Sequence, residues 1–139
     1  MAEEVSKIQK IKEFIETCPL LKGNKLNVDY LKDKPLSYSI DKTPSSPKIK
    51  PFIGGGGLYQ ITFDFTVTAP ISSRAITNLA NSKFGEDFFD WVENQYTLGN
   101  LPEIEGVHSI ECTSPSYILQ KTETTAIYII QMRCTYYKL

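Results

Sequence analysis

The sequence has little of the residues from which disulfide frameworks, zinc sites and membrane spans are built. Its 139 residues include three cysteines and one histidine. Cys18, Cys112 and Cys134 are odd in number and have no CxxC spacing, which argues against both a disulfide framework and a zinc site. We therefore expect all three cysteines to be reduced and mostly buried.

Long apolar runs are also missing. No run approaches about 18 residues, the length that suggests a membrane-spanning helix, and the N-terminal MAEEVSKIQK contains no apolar signal segment. Charged residues make up 22% of the chain and the net charge is -1, so no excess of one sign favours nucleic acid or an acidic membrane surface. We expect a single domain over 1–139, made in a cytoplasm and not inserted in a membrane.

The residue types that carry catalysis do not form a recognisable set. His108 is the one histidine, and a lone histidine beside a strand is more often a surface or packing residue than a base. Four acidic residues share one stretch, Glu86, Asp87, Asp90 and Glu93, but on a polar helix face this is the ordinary solvated pattern. The sequence favours no enzyme, no cofactor and no metal site.

Two long alternating stretches predict the centre of a sheet. AIYIIQMRCTYY, 126–137, places apolar residues on one face: Ala126, Tyr128, Ile130, Met132, Cys134 and Tyr136. LYQITFDFTVT, 58–68, alternates more strictly, and we expect Ala69 and Pro70 to end it. Each stretch has one apolar face, so both need a covering layer.

Helical spacing predicts that layer. An amphipathic helix is expected over 3–17, ended by Pro19, and two further helices over about 72–81 and 85–96, the first capped by Ser72 or Ser73. Ile76, Leu79 and Ala80 are expected to face inward. Short strands are predicted over 26–31 and 36–40, joined as a hairpin by a turn at 32–35, and over 107–113 and 117–121. The fold class is therefore α+β, a largely antiparallel β-sheet with helices packed on one side.

The stretch 43–57, TPSSPKIKPFIGGGG, admits two interpretations. It contains three prolines and four consecutive glycines, which is typical of a flexible connector, although one near 15 residues is unusual in a compact domain. It could instead be an arm that orders against a neighbouring subunit through basic and apolar side chains. On that second interpretation, the candidate assembly contacts are Lys48, Lys50, Phe52 and Ile53.

Tyrosines near strand ends add to the candidate contacts. Tyr117, Tyr136 and Tyr137 do not fit the apolar faces neatly, and exposed tyrosines suit a protein contact better than a reaction. Tyr117 and Tyr137 therefore join the candidate assembly contacts.

Four segments, in this order and spacing, carry a resemblance to a known family: GLYQITFDFTVTAP, NLANSKFGEDFFDWVENQ, GNLPEI and TAIYIIQMRCTYYK. Across roughly residues 26–138 the chain resembles tailed-phage and prophage minor capsid or tail-completion proteins, which are similar to the tail terminators of long-tailed phages. The most specific elements are the FxxDFxxWVExQ-like stretch over 84–95, the Leu101-Pro102 that follows and the closing IQMRCTYYK.

The resemblance implies a structural virion protein of the neck, a tail terminator or head-tail joining subunit that forms a ring, possibly a hexamer, at the head-proximal end of the tail tube. The implied partners are other copies of the chain, the tail-tube protein and the head-tail connector protein, with DNA passing through the lumen without specific binding. Glu103 and Glu105 are candidates to line that lumen.

Two alternatives stay open. One is a minor capsid or head completion protein, which the same resemblance permits. The other is a small cytoplasmic α+β domain that binds a ligand between sheet and helices, with Arg74, His108 and Arg133 as candidate polar contacts.

Overall fold

A computed structural model describes residues 6–29 and 36–139. In these two ranges the chain forms an α+β fold whose two α-helices pack against a seven-stranded, largely antiparallel sheet. The helices are α1 (Lys7–Glu16) and α2 (Ala75–Leu98), with a short 3-10 helix at Pro19–Leu21. The strands are β1 (Leu26–Val28), β2 (Ser37–Lys42), β3 (Lys48–Pro51), β4 (Gly57–Pro70), β5 (Val107–Cys112), β6 (Tyr117–Lys121) and β7 (Thr125–Lys138).

The sheet is built on a ribbon of two long strands, as the sequence predicts. β4 and β7 pair antiparallel along their whole length, from Gly57 opposite Lys138 to Pro70 opposite Thr125. Strict alternation places the apolar residues of both strands on one face, so a single covering layer can bury them together. The prediction that Ala69 and Pro70 break the β4 ladder is wrong, since both still pair with β7 and the strand extends two residues past its expected end. β4 then ends at Pro70, which has no backbone N–H to donate.

Along each outer edge of the β4–β7 ribbon, two short strands follow one another. β2 and β3 pair with the two ends of β4, and β5 and β6 pair with the two ends of β7. Backbone bonds continue across both interruptions: Gln60 N–H donates to the Pro47 carbonyl, and Thr113 N–H donates to the Gln131 carbonyl. The proline-containing linkers therefore bend the outer strands without removing them from the sheet.

The predicted hairpin over 26–40 is wrong. β1 and β2 pair in parallel, with Leu26 opposite Tyr38 and Val28 opposite Ile40, and parallel neighbours cannot be joined by a tight turn. The predicted turn, like Tyr30 and Leu31 before it, lies outside the described residues, as do residues 3–5 of the predicted first helix. Leu36, expected in the second strand, precedes it and is exposed.

The two helices predicted over 72–96 are one continuous helix, α2. Gly85 does not break it; instead it permits a close approach, because a Cβ there would lie 2.5 Å from the Cβ of Ser116. The N-cap is Arg74, which makes no side-chain cap bond, so neither Ser72 nor Ser73 caps the helix. Ser72 Oγ instead accepts a hydrogen bond from the Arg74 N–H.

Both helices cover the same face of the sheet. Phe88 of α2 stacks on Phe65 of β4 at 4.3 Å between ring centroids, and Phe14 of α1 lies 5.3 Å from Trp91. The buried core joins residues of both helices and the sheet: Ile11, Phe14, Ile15, Phe63, Phe65, Phe88, Val92, Ile110, Ile130, Met132 and Cys134 among them. Leu79 and Ala80, expected to face inward, are exposed, and the Ile76 side chain lies outside the described part of the structure.

Candidate assembly surfaces

The proline- and glycine-rich stretch forms a β-hairpin. We call Lys48–Gly56 the arm; its strand β3 pairs with the first residues of β4. Phe52 N–H donates to the Gly56 carbonyl, and Gly55 N–H donates to the Phe52 carbonyl. Gly56 has φ 73° and a Cβ there would meet the Lys138 carbonyl oxygen, which explains why glycine ends this turn. Within one chain the arm is therefore a hairpin paired with β4, which differs both from a flexible connector and from an arm that orders only against a neighbouring subunit.

The arm exposes the four side chains that the sequence nominated there. Lys48 and Lys50 are exposed, and Ile53 at the tip is completely exposed. Phe52 is 37% exposed because its ring stacks on Tyr137, 6.0 Å away between centroids. The arm and Tyr137 thus form one surface at the corner of the sheet where β4 begins and β7 ends.

A second surface lies at the diagonally opposite corner. We call it the α2–β6 groove, an open groove of about 540 Å³ between α2 and the start of β6. Its apolar lining includes Phe89 and Ile118, and its charged lining is Glu86 and Asp90. Tyr117, the remaining nominated contact, lies in this groove, so the structure divides the six nominated residues between two separate places.

Strand β6 beside the groove is exposed along its length. Tyr117 and Ile118 are partly exposed, and Leu119 is 59% exposed. Among the described strands, β6 pairs with β7 alone, and its outer edge is unpaired. An apolar strand edge of this kind is a ready site for contact with another chain.

Tyr136 behaves differently from Tyr117 and Tyr137. It is half-buried and stacks on Tyr59 at 5.6 Å between centroids, and burial, with Tyr59 as a smaller cause, raises its pKa. Three lysine ammonium groups lie 5.2 to 5.5 Å from these two rings: Lys7 over Tyr136, and Lys48 and Lys138 over Tyr59. These cation–π contacts place positive charge at the base of the arm.

The sheet face opposite the helices is polar. The two carboxylates Asp41 and Asp64 are cross-strand neighbours there, and Asp41 accepts hydrogen bonds from Ser39 Oγ and Thr66 Oγ1 at 2.8 and 3.1 Å. Burial, followed by the nearby Asp41 carboxylate, raises the pKa of Asp64. On the neighbouring strand β7, Arg133 forms an ion pair with Glu111 of β5.

His108 and the three cysteines, the residues considered for chemistry, lie in different surroundings. His108 is exposed on β5 and its ring meets the edge of Tyr137 at 5.1 Å. Cys18 and Cys134 are buried, Cys112 is half-buried, and all three are free thiols. Burial raises the pKa of both Cys112 and Cys134 to about 12, so neither thiol is ionised near neutral pH.

The polar residues nominated for the ligand-binding alternative do not line the cavity between the sheet and α2. A cavity of about 240 Å³ does lie between the sheet and α2, lined mainly by apolar side chains including Tyr38, Phe84 and Ile130. Arg74, His108 and Arg133 are not among its lining residues. His108 and Arg133 belong to the sheet edge and the polar face, so the structure does not bring the three together.

The acidic stretch of α2 is a solvated face. Asp87 pairs with Lys83 at 2.8 Å one turn earlier, and Glu86 and Asp90 point into the groove. Over residues 6–29 and 36–139, no three His, Cys, Asp or Glu side chains group as a metal ion would require. Within the same ranges, no helix combines the length and apolarity needed to cross a bilayer.

Sequence reasoning missed Phe89, Ile118 and Leu119 as surface residues. The signal for β6 was present, since Tyr117, Ile118 and Leu119 are consecutive apolar residues in a strand that can bury one face at most. For Phe89 the signal was present as well, because Glu86, Phe89 and Asp90 are three and four residues apart within the helix predicted over 85–96 and therefore share a face.

Comparison with known proteins adds little to this geometry. No protein-family model matches the sequence, and no curated protein does. One solved structure superposes with a TM-score of 0.49 and 9% sequence identity, covering 94% of this chain and 89% of that one. Its name describes no activity or partner.

Proposed function

We propose that this chain is a non-enzymatic structural subunit of a phage neck: a tail terminator or head-tail joining protein that forms a ring at the head-proximal end of the tail tube. The support from sequence is the resemblance carried by the four segments over 57–138. A subunit of this kind needs surfaces through which copies contact one another and the neighbouring neck proteins.

The observation that carries the proposal is the exposure of large apolar side chains at two opposite corners of one rigid sheet. Ile49 and Ile53 are exposed at the arm, and Ile118 and Leu119 at β6. Clustered apolar exposure of this kind marks contact surfaces in proteins that are otherwise well packed.

The partners in this proposal are other copies of the chain in a ring, possibly a hexamer, the tail-tube protein, and the head-tail connector protein. DNA would pass through the lumen without specific binding. The mature location is the virion, after synthesis in the bacterial host cytoplasm. A minor capsid or head completion role is the alternative, since it would use the same kinds of surface on the head side of the joint.

Inactivating the gene in the phage or prophage that carries it, followed by electron microscopy of the lysate, tests the proposal. We expect overlong tails if the protein terminates the tube, and separate heads and tails of normal length if it joins them. Filled heads that lose DNA without a tail defect would favour the head completion role. Normal infectious particles would contradict a neck function.

A further inference from the structure

We propose that the arm of one copy docks in the α2–β6 groove of the next, and that this contact joins successive subunits of the ring. The inference rests on the proposed function for its setting, but the contact itself is argued from the surfaces of the chain. The occupant of the groove is therefore a second copy of this chain.

Charge complementarity is the first support. The arm presents the exposed ammonium groups of Lys48 and Lys50, and the groove presents the carboxylates of Glu86 and Asp90. Within the described ranges none of these four side chains takes part in an ion pair. Opposite charges on two matching patches steer the encounter and fix the register of a contact.

Apolar complementarity is the second support. Ile53 is completely exposed at the arm tip, and Phe89 and Ile118 line the groove together with the acidic groups. The groove volume of about 540 Å³ lies within the range of about 300 to 1,000 Å³ typical of binding pockets. It can therefore accept a side chain the size of isoleucine together with its neighbours.

The positions of the two surfaces exclude an intramolecular contact. The arm pairs with the start of β4 at Leu58, on the outer side of β4. Tyr117 pairs with Ile129 on the outer side of β7, level with Thr66 of β4. Leu58 and Thr66 are separated by about 26 Å along the strands at 3.3 Å per residue. One chain thus offers both halves of the contact but cannot join them to each other.

Placement at opposite corners also determines the type of assembly. Because the two halves are different surfaces, each copy can use its arm and its groove at the same time. Such a heterologous contact closes into a ring when its rotation is a whole fraction of a turn, and otherwise gives an open filament. A hairpin held by β4 and by the Phe52–Tyr137 stack is rigid enough to fix that rotation.

Charge reversal on the full chain tests the docking by sedimentation velocity across a concentration series. We expect Lys48→Glu with Lys50→Glu to weaken self-association about tenfold or more, and Glu86→Lys with Asp90→Lys to do the same. The matched controls are Lys22→Glu with Lys25→Glu, and Glu13→Lys with Glu123→Lys, which reverse exposed charges outside both surfaces. All four substitutions at the arm and groove combined in one chain should restore association.

A disulfide trap covers the case of a weak contact. Ile53→Cys and Ile118→Cys, made in separate chains and mixed under mild oxidation, should give a mixed disulfide dimer faster than Ile53→Cys mixed with Leu98→Cys, which lies at an exposed position of α2 outside the groove. Association that is unchanged by the reversals would overturn the docking. The docking would also be overturned if the wild-type chain stays monomeric at every concentration and the Ile53→Cys and Ile118→Cys chains form no mixed disulfide.

These failures are distinct from failure of the neck function. Normal virions after gene inactivation would contradict the neck function while leaving a measured arm-to-groove contact intact. If gene inactivation gives overlong or headless tails while the reversal variants assemble normally, the neck function is retained and the arm-to-groove contact is rejected.

Discussion

Similar side chains lie on the helix-covered face of the sheet and on the surfaces that no described element covers. They are buried in the first region and exposed in the second. Phe88 and Ile53 are both large and apolar, yet Phe88 is 0% exposed where α2 packs on the sheet and Ile53 is 107% exposed at the arm tip. Burial of an apolar side chain of this size contributes about 1.5 to 3 kcal/mol to folding, and an exposed one contributes almost nothing. The comparison teaches that burial under the helices, and not the type of side chain, separates the two regions, and that the uncovered apolar side chains lie at the arm and along β6.

The largest expected effect comes from breaking the covered face. Phe88→Ala should lower the free energy of unfolding by about 3 to 5 kcal/mol, because it removes a ring that stacks on Phe65 in a fully buried site. Denaturant unfolding measures this. The matched control is Phe52→Ala in the arm, where the ring is 37% exposed; a comparable loss there would contradict the division between covered and uncovered regions.

The next largest loss of stability is expected at the contact between α2 and the linker that joins β5 to β6. Gly85→Ala should cost about 1 to 2 kcal/mol, since the new Cβ would lie 2.5 Å from that of Ser116 and the resulting overpacking outweighs the gain of about 0.5 to 1 kcal/mol for alanine in a helix. In a Ser116→Gly background the same change should become neutral or stabilising. Equal costs in both backgrounds would show that the close approach is not what requires glycine.

On the polar face, a substitution should stabilise the protein in a pH-dependent way. Burial and Asp41 raise the pKa of Asp64 from its ordinary 3.8, so the folded state loses stability as pH rises through that raised pKa. Asp64→Asn should therefore increase the thermal midpoint at pH 7, and the increase should shrink as the pH falls toward 3.8. Glu105→Gln, an exposed carboxylate, is the control. A gain that is the same at every pH would contradict the assignment.

The smallest effect on folding is expected at the arm tip. Ile53→Ser should change the free energy of unfolding by no more than about 0.5 kcal/mol, because the side chain makes no buried contact. The same variant should weaken self-association in sedimentation velocity, if the arm docks as proposed. A marked loss of stability in the monomer would instead show that the arm tip supports the fold.

Local pattern was enough to predict the elements that bury one regular face. β4 and β7 lie where alternation predicts them, and α1 buries Ile11, Phe14 and Ile15 at helical spacing, because side-chain direction in a strand or helix follows from the backbone repeat alone. The α+β class followed from the order of those elements. Exposure of the nominated arm residues was predictable for the same reason, since their stretch has no periodic apolar face.

Only the tertiary structure decided how those elements meet. Gly85 was interpreted as a helix boundary, but its place opposite Ser116 makes it a packing residue within one helix. β1 joins β2 in parallel because its partner edge is chosen by the whole sheet and not by the nearest turn. The arm is a hairpin because β4 extends far enough to pair with it, and the groove exists because α2 passes beside β6. Periodicity is a property of neighbouring residues, whereas strand partners, close approaches and surfaces depend on residues distant in sequence.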